Sequence, residues 1–184
     1  MAFDFQNLSD RVRGLMQDEV DFDVDENNLH LSSRLSPKGQ REWKNLLRRV
    51  FEDGSEVELT NELGEPGGEY LNAREINART GGTKSVPTNA GQTLAEGEFN
   101  RYYIRALCQL VLQDGGQLEI YRARTSAKPD PVSQSRIGSP IDALDLLNDL
   151  RKNVGTDTAL GVAGHPNSGL SVRIRSRDGS DEHR

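Results

Sequence analysis

The stretch GEFNRYYIRALCQLVLQDGGQLEIYRAR, residues 97–124, decides the fold class. Phe99, Tyr102, Tyr103, Ala106, Leu107, Leu110 and Val111 recur at three- and four-residue steps. That is the spacing of one helical face, and it predicts a helix over 98–113. Asp114–Gly115 stops it, because glycine readily takes the left-handed conformation that closes a helix. Over 117–124, Leu118 and Ile120 alternate with polar residues, as a strand requires. A strong helix running through a tight turn into a strand calls for an α+β fold, in which helices cover a small sheet.

Upstream, Ser36 is placed to cap a second helix. Pro37 takes its first position, where a missing N–H loses no bond. Trp43, Leu46, Leu47, Val50 and Phe51 form its apolar stripe, and Asp53–Gly54 ends it. Residues 55–60 then alternate, with Val57 and Leu59 on one side, and predict a strand. Segment 43–59 overlays 104–120 at an offset of 61 with 5 of 17 positions identical, among them Asp53/Asp114 and Gly54/Gly115. A duplicated helix–strand unit is one expectation. Shared turn chemistry is the other reading of the same residues.

At the N-terminal end, Ser9 caps a helix over 9–20 whose apolar positions are Leu8, Val12, Leu15, Met16 and Val20. The run DEVDFDVDE, 18–26, places six acidic groups in nine residues. Asp21, Asp23 and Asp25 start like a calcium loop, but Glu26 stands where glycine is needed and Ser32 where the closing glutamate is needed. The expectation here is an acidic linker or edge strand that repels other strands. Residues 61–98 hold nine Gly and Pro and read as a long loop, in which a short helix over 70–80 fits.

Downstream, 125–138 is a polar crossing. Ser139–Pro140 repeats the cap-plus-proline start, and Ile141, Leu144, Leu147 and Leu150 carry a helix to Lys152. A loop over 154–169 leads to a last strand, where Leu170, Val172 and Ile174 alternate with Ser171, Arg173 and Arg175. The fold expected is α+β, with one small mixed or antiparallel sheet, three to four helices, long loops and polar termini. An N-terminal helix and acidic arm would occupy 1–35, a single domain 36–175, and a disordered tail 176–184.

Composition sets limits on function. The 184 residues are 34% hydrophobic and 28% charged, with a net charge of −6. No apolar run approaches the ~18 residues of a membrane helix. Residues 1–6 lack the basic start of a secretory signal. A single cysteine, Cys108, forms no intrachain disulfide, so a reducing cytoplasm is the default setting. With His30, His165 and His183 it is too scattered for a zinc site. Residues 1–70 carry 16 Asp/Glu against 8 Lys/Arg, and 71–184 carry 13 against 15. The acidic half argues against a nucleic-acid partner, whose binding runs on phosphate neutralisation.

The densest polar constellation is Asn72, Arg74, Glu75, Asn77 and Arg79, joined later by Arg101 and Arg105. One reading has these side chains pin the long loop. The other makes Arg74, Arg79, Arg101 and Arg105 an anion- or partner-binding site, since guanidinium forks suit carboxylate and phosphate. Tyr102 and Tyr103 read as core residues whose hydroxyls reach polar partners, and Cys108 as a buried inert thiol. The chain has no phosphate-binding loop, no dinucleotide fingerprint and no nucleophile elbow at Ser168. No catalytic residue, cofactor or metal site is expected.

GEFNRYYIRALC (97–108), LEIYRAR (118–124) and HPNSGLSVRI (165–174) resemble small proteins of tailed-phage and prophage gene sets. The resemblance spans the C-terminal two-thirds of the chain and carries no catalytic motif. It implies a virion or head–tail assembly component. Such a component is a non-enzymatic structural or interaction protein working with other proteins, as a homo- or hetero-oligomer, away from membranes. It would reside in the bacterial host cytoplasm or the virion. The alternative, from the residues alone, is an enzyme or ligand-binding domain that recognises an anionic substrate through the Arg/Asn-rich loop.

Overall fold

A computed structural model describes residues 2–125, 131–155, 158–162 and 168–175. The fold is α+β, with six helices and two antiparallel sheets among the described residues rather than three or four helices on one sheet. The expected tail at 176–184 and part of the 154–169 loop lie outside the described residues.

α1 (Asp10–Asp25) starts at Ser9, whose hydroxyl accepts from the Val12 amide at 3.3 Å. It runs five residues past the expected end and absorbs most of the acidic run, which is neither linker nor strand. The reason is tertiary. Glu19 and Asp23 are one helical turn apart and face inward, where both are buried, while Asp21 turns to Lys44 and Arg48. α2 (Pro37–Asp53) follows the reading from Ser36 to Gly54, with Trp43, Leu46, Leu47, Val50 and Phe51 all buried.

The expected strand over 55–60 is instead α3 (Glu56–Leu63). Ser55 caps it, accepting from the Glu58 amide at 3.3 Å, and Glu56 and Glu58 sit in the first turn, where the helix dipole favours acidic groups. The buried pair is Leu59 and Leu63, while Val57 is 46% exposed. The overlay on 104–120 therefore ends at the glycine. A helix follows it in the first segment and a strand in the second, so no helix–strand unit is repeated.

Within 61–98, the chain forms a hairpin rather than a short helix. β1 (Arg74–Ile76) pairs antiparallel with β2 (Thr83–Ser85), with Arg74 opposite Ser85 and Ile76 opposite Thr83. The Asn77 side chain accepts from the Arg79 amide at 3.0 Å and the Asn77 carbonyl from the Gly81 amide at 2.9 Å, which reverses the chain. α4 (Ala90–Asp114) begins eight residues before the predicted start. Ala90, Gly91 and Ala95 are buried in its first turns. Their small side chains leave little periodic signal, and Gly91 lets the helix approach the Gly64 carbonyl.

α4 is the platform of the molecule. Its 25 residues run about 37 Å, packing on α1, α3, the helix over Ala143–Lys152 and the larger sheet. That sheet has the order β4–β3–β5, with β3 (Leu118–Arg122) between β4 (Pro140–Ile141) and β5 (Leu170–Ile174). Leu118, Ile120, Leu170 and Val172 are buried, and Asn100 of α4 donates to the Leu170 carbonyl at 2.9 Å. The expected helix start at Ser139–Pro140 shifts. Pro140 belongs to the edge strand, a position proline tolerates. α6 (Ala143–Lys152) is capped by Asp142, which accepts from the Asp145 amide at 2.9 Å. A short α5 (Pro131–Arg136) stands in the stretch read as a crossing. The N-terminal residues lie across the sheet end, where Phe5 packs against Phe99 and Tyr103 at 5.1 and 4.7 Å between ring centres.

The long loop is clipped to the start of α2. Ser36 accepts the Gly39 amide at 3.0 Å and donates to the Glu69 carbonyl at 2.7 Å. A Cβ on Gly39 would stand 2.3 Å from the Tyr70 carbonyl oxygen, so the two segments must part to admit one. Gly39→Ala is expected to lower stability by about 1–3 kcal/mol, as overpacking does. Chemical denaturation of the two proteins checks it, and an unchanged midpoint refutes it.

Candidate functional site

The residues singled out in the sequence fall into two separate places. Asn72, Arg74, Glu75, Asn77 and Arg79 build the β1–β2 hairpin, whereas Arg101 and Arg105 lie on the buried side of α4.

At the hairpin base, the Asn72 amide group donates to the Ser33 and Leu35 carbonyls at 3.1 and 2.9 Å, and its backbone N–H to the Arg34 carbonyl at 2.8 Å. Strand geometry sends successive side chains to opposite faces. Glu75 takes the inner face, paired with Arg34 at 2.7 Å and Lys84 at 3.1 Å. The Arg34 hydrogen bond, with help from Lys84, holds the Glu75 carboxyl below its usual value. Arg74 and Ile76 take the outer face and are exposed. Arg74 donates to the Thr83 hydroxyl at 2.9 Å and has no acidic partner among the described residues. Arg79, at the turn, is exposed. The hairpin is thus pinned at its base and along one face, and open along the other.

Inside the helical layer, the Arg105 side chain has no exposed surface. Its Nε donates to Glu19 at 2.6 Å, and its two terminal nitrogens to Asp23 at 2.6 and 2.9 Å. The Tyr102 hydroxyl donates to the same Asp23 at 2.7 Å, and Gln109 and Arg151 both reach Glu19. Burial pulls the Arg105 guanidinium down, but the Asp23 hydrogen bond and the charges of Glu19 and Asp23 outweigh it and hold it above its usual value. Burial likewise pushes the Glu19 carboxyl up, and the Arg151 hydrogen bond with the Arg105 charge reverses this and holds it low. Arg101 donates to the Leu150 and Asn153 carbonyls at 3.4 and 2.8 Å, holding the end of α6. Arg101 and Arg105 therefore tie helices together and do not join Arg74 and Arg79 around one ligand.

Glu98 stands three residues before Arg101 and seven before Arg105, a spacing that puts all three on one side of a helix. The structure gives Arg105 to Glu19 and Asp23, residues 86 and 82 positions away. Two features of the sequence accompany this pairing without specifying it. Glu19 and Asp23 lie four apart in the acidic run, and Arg105 stands three residues from Tyr102 at the edge of the apolar stripe. Glu98 itself is buried, and burial pushes its carboxyl above the usual value against the charges of Arg101 and His30.

The hairpin leaves one face exposed, and the Arg105 cluster lies inside the helical layer. Arg105, Glu19 and Asp23 have almost no exposed side-chain surface, and Arg151 closes the cluster from its partly exposed edge. The Cys108 thiol is buried, and burial pushes it far up, which leaves it an inert core residue. Among the described residues no three His, Cys, Asp or Glu side chains converge to hold a metal ion, and no helix is long and apolar enough to cross a membrane. No protein-family model, curated protein or solved structure matches the chain.

Two outcomes follow from the buried groups. Arg105→Met strands two buried carboxylates and is expected to cost about 3–5 kcal/mol of unfolding free energy. Adding Glu19→Gln and Asp23→Asn is expected to recover most of that loss, and guanidinium denaturation reads both steps. A raised Glu98 carboxyl favours folding at low pH, and that benefit is lost as pH rises above the unfolded value of 4.5. The thermal midpoint of Glu98→Gln, relative to wild type, is therefore expected to rise as pH climbs above 4.5 and to level off once the folded-state carboxyl has ionised. A flat difference would show that Glu98 does not titrate between the two states.

Proposed function

We propose that this chain is a non-enzymatic structural or interaction protein that engages a protein partner through its β1–β2 hairpin. Its setting is the phage virion or head–tail assembly implied by the sequence resemblance, in the host cytoplasm or the particle. The observation that carries this is the form taken by the Arg/Asn-rich segment. It is an exposed two-stranded arm, clamped from behind by Glu75, with Arg74, Ile76 and Arg79 left facing solvent. Exposed apolar and guanidinium side chains held on a rigid backbone are the groups that protein interfaces enrich. The anionic-substrate alternative needs Arg101 and Arg105 beside them, and both work inside the helical layer.

Thermal unfolding with phosphate, sulfate and a nucleoside triphosphate tests the alternative. No shift is expected, whereas a rise abolished by Arg74→Ala would make the chain a ligand-binding domain. A variant with 74–85 shortened to a two-residue Asn-Gly turn tests the arm. It is expected to keep the wild-type unfolding midpoint and to stop co-purifying with virion proteins from particle-producing cells. Undiminished co-purification would overturn the assignment of the hairpin.

A further inference from the structure

The arm has a counterpart elsewhere on the same chain. Between the end of α4, β4 and the start of α6 lies a recess of about 520 Å³, floored by Val111, Leu118, Ile141 and Ala143 and flanked by Leu112. Leu112 is 47% exposed, and Leu144, the next residue along α6, is 52% exposed. Asp142 lines the recess and Asp145 stands one turn along α6; both are exposed, with no cationic partner among the described residues. β4 is also the end strand of its sheet, so among the described residues no strand pairs with its outer edge.

The hairpin is complementary in each respect. Ile76 is 75% exposed, the largest exposure among the large hydrophobic residues described, so it does not fill the recess of its own chain. Residues 73–86 carry Arg74, Arg79 and Lys84 against Glu75 alone, a positive arm on a chain of net charge −6. We propose that the hairpin of one copy seats in the recess of a second copy, with Ile76 on the apolar floor and Arg74 and Arg79 toward Asp142 and Asp145. This rests on the reading of the hairpin as an interaction arm and names its partner as the chain itself. The two surfaces differ, so the contact is head-to-tail and builds a ring or an open filament rather than a two-fold dimer. One aliphatic anchor with exposed ion pairs makes a weak contact that salt weakens further.

Sedimentation velocity over a rising concentration series, at low and high salt, tests this on the full chain. The wild type is expected to pass beyond dimer at low salt and to fall back at high salt. Ile76→Ser removes the anchor and Leu112→Lys blocks the recess. Each is expected to weaken association about tenfold or more while leaving the circular dichroism spectrum unchanged. A mixture of the two variants retains one intact arm and one intact recess, and is expected to form a dimer and nothing larger. A wild type that stays monomeric throughout, oligomers indifferent to both variants, or a mixture that forms no dimer would each overturn the proposal. If the wild type is monomeric yet its hairpin still captures virion proteins, self-assembly falls and the interaction arm stands. If neither is seen, both fall.

Discussion

A guanidinium with no exposed surface stands between α1 and α4, and the arrangement of the helices follows from its needs. Taking Arg105 out of water costs several kcal/mol, which is offset only where carboxylates and hydrogen bonds surround it in good geometry. Glu19 and Asp23 supply two of its sides and the Glu19 carbonyl a third. Apolar stripes can slide past one another with modest loss, but a fork of directed hydrogen bonds cannot. Because Arg151 of α6 also reaches Glu19, three helices meet at one carboxylate, and their mutual register is set there.

The same cluster explains the uneven charge of the chain. The six acidic groups of 18–26 are not a free negative arm. Glu19 and Asp23 are internal, Asp21 is paired with Lys44 and Arg48, and Asp18, Asp25 and Glu26 remain exposed. With the helices locked, α4 presents a face to the three-stranded sheet, where Asn100 donates to the Leu170 carbonyl, and the start of α2 holds the base of the hairpin through Ser36 and Asn72. The hairpin can therefore leave the body without carrying any of the core. Of its strands and turn, only Glu75 and Asn77 are even half-buried. The body thus carries an exposed cationic hairpin and, at the start of α6, an apolar recess lined by Asp142.

Helical grammar was readable where side chains are large and caps are strong. Ser36–Pro37 with the Trp43–Phe51 stripe, and Phe99–Val111 closed by Asp114–Gly115, gave two helices that the structure retains. The alternation at Leu118 and Ile120 and at Leu170 to Ile174 gave two strands. A short pattern can fit two periods at once. Val57 and Leu59 alternate, but Leu59 and Leu63 are the residues that find a core, so the segment is helical. The polar constellation at 72–79 was visible as a group, while its hairpin form depended on the Asn77 turn and on anchorage to 33–36.

By itself, the sequence determined the α+β class, the caps, the turn glycines and the apolar faces, because these depend on residues within a few positions of each other. Only the tertiary structure decided which charges go inside and which arginines face outward. Arg105 finds Glu19 and Asp23 across more than 80 positions, and no local pattern distinguishes a guanidinium that will be buried from one that will stay in water. That choice belongs to the balance of desolvation against pairing, which exists only once α1 and α4 are side by side.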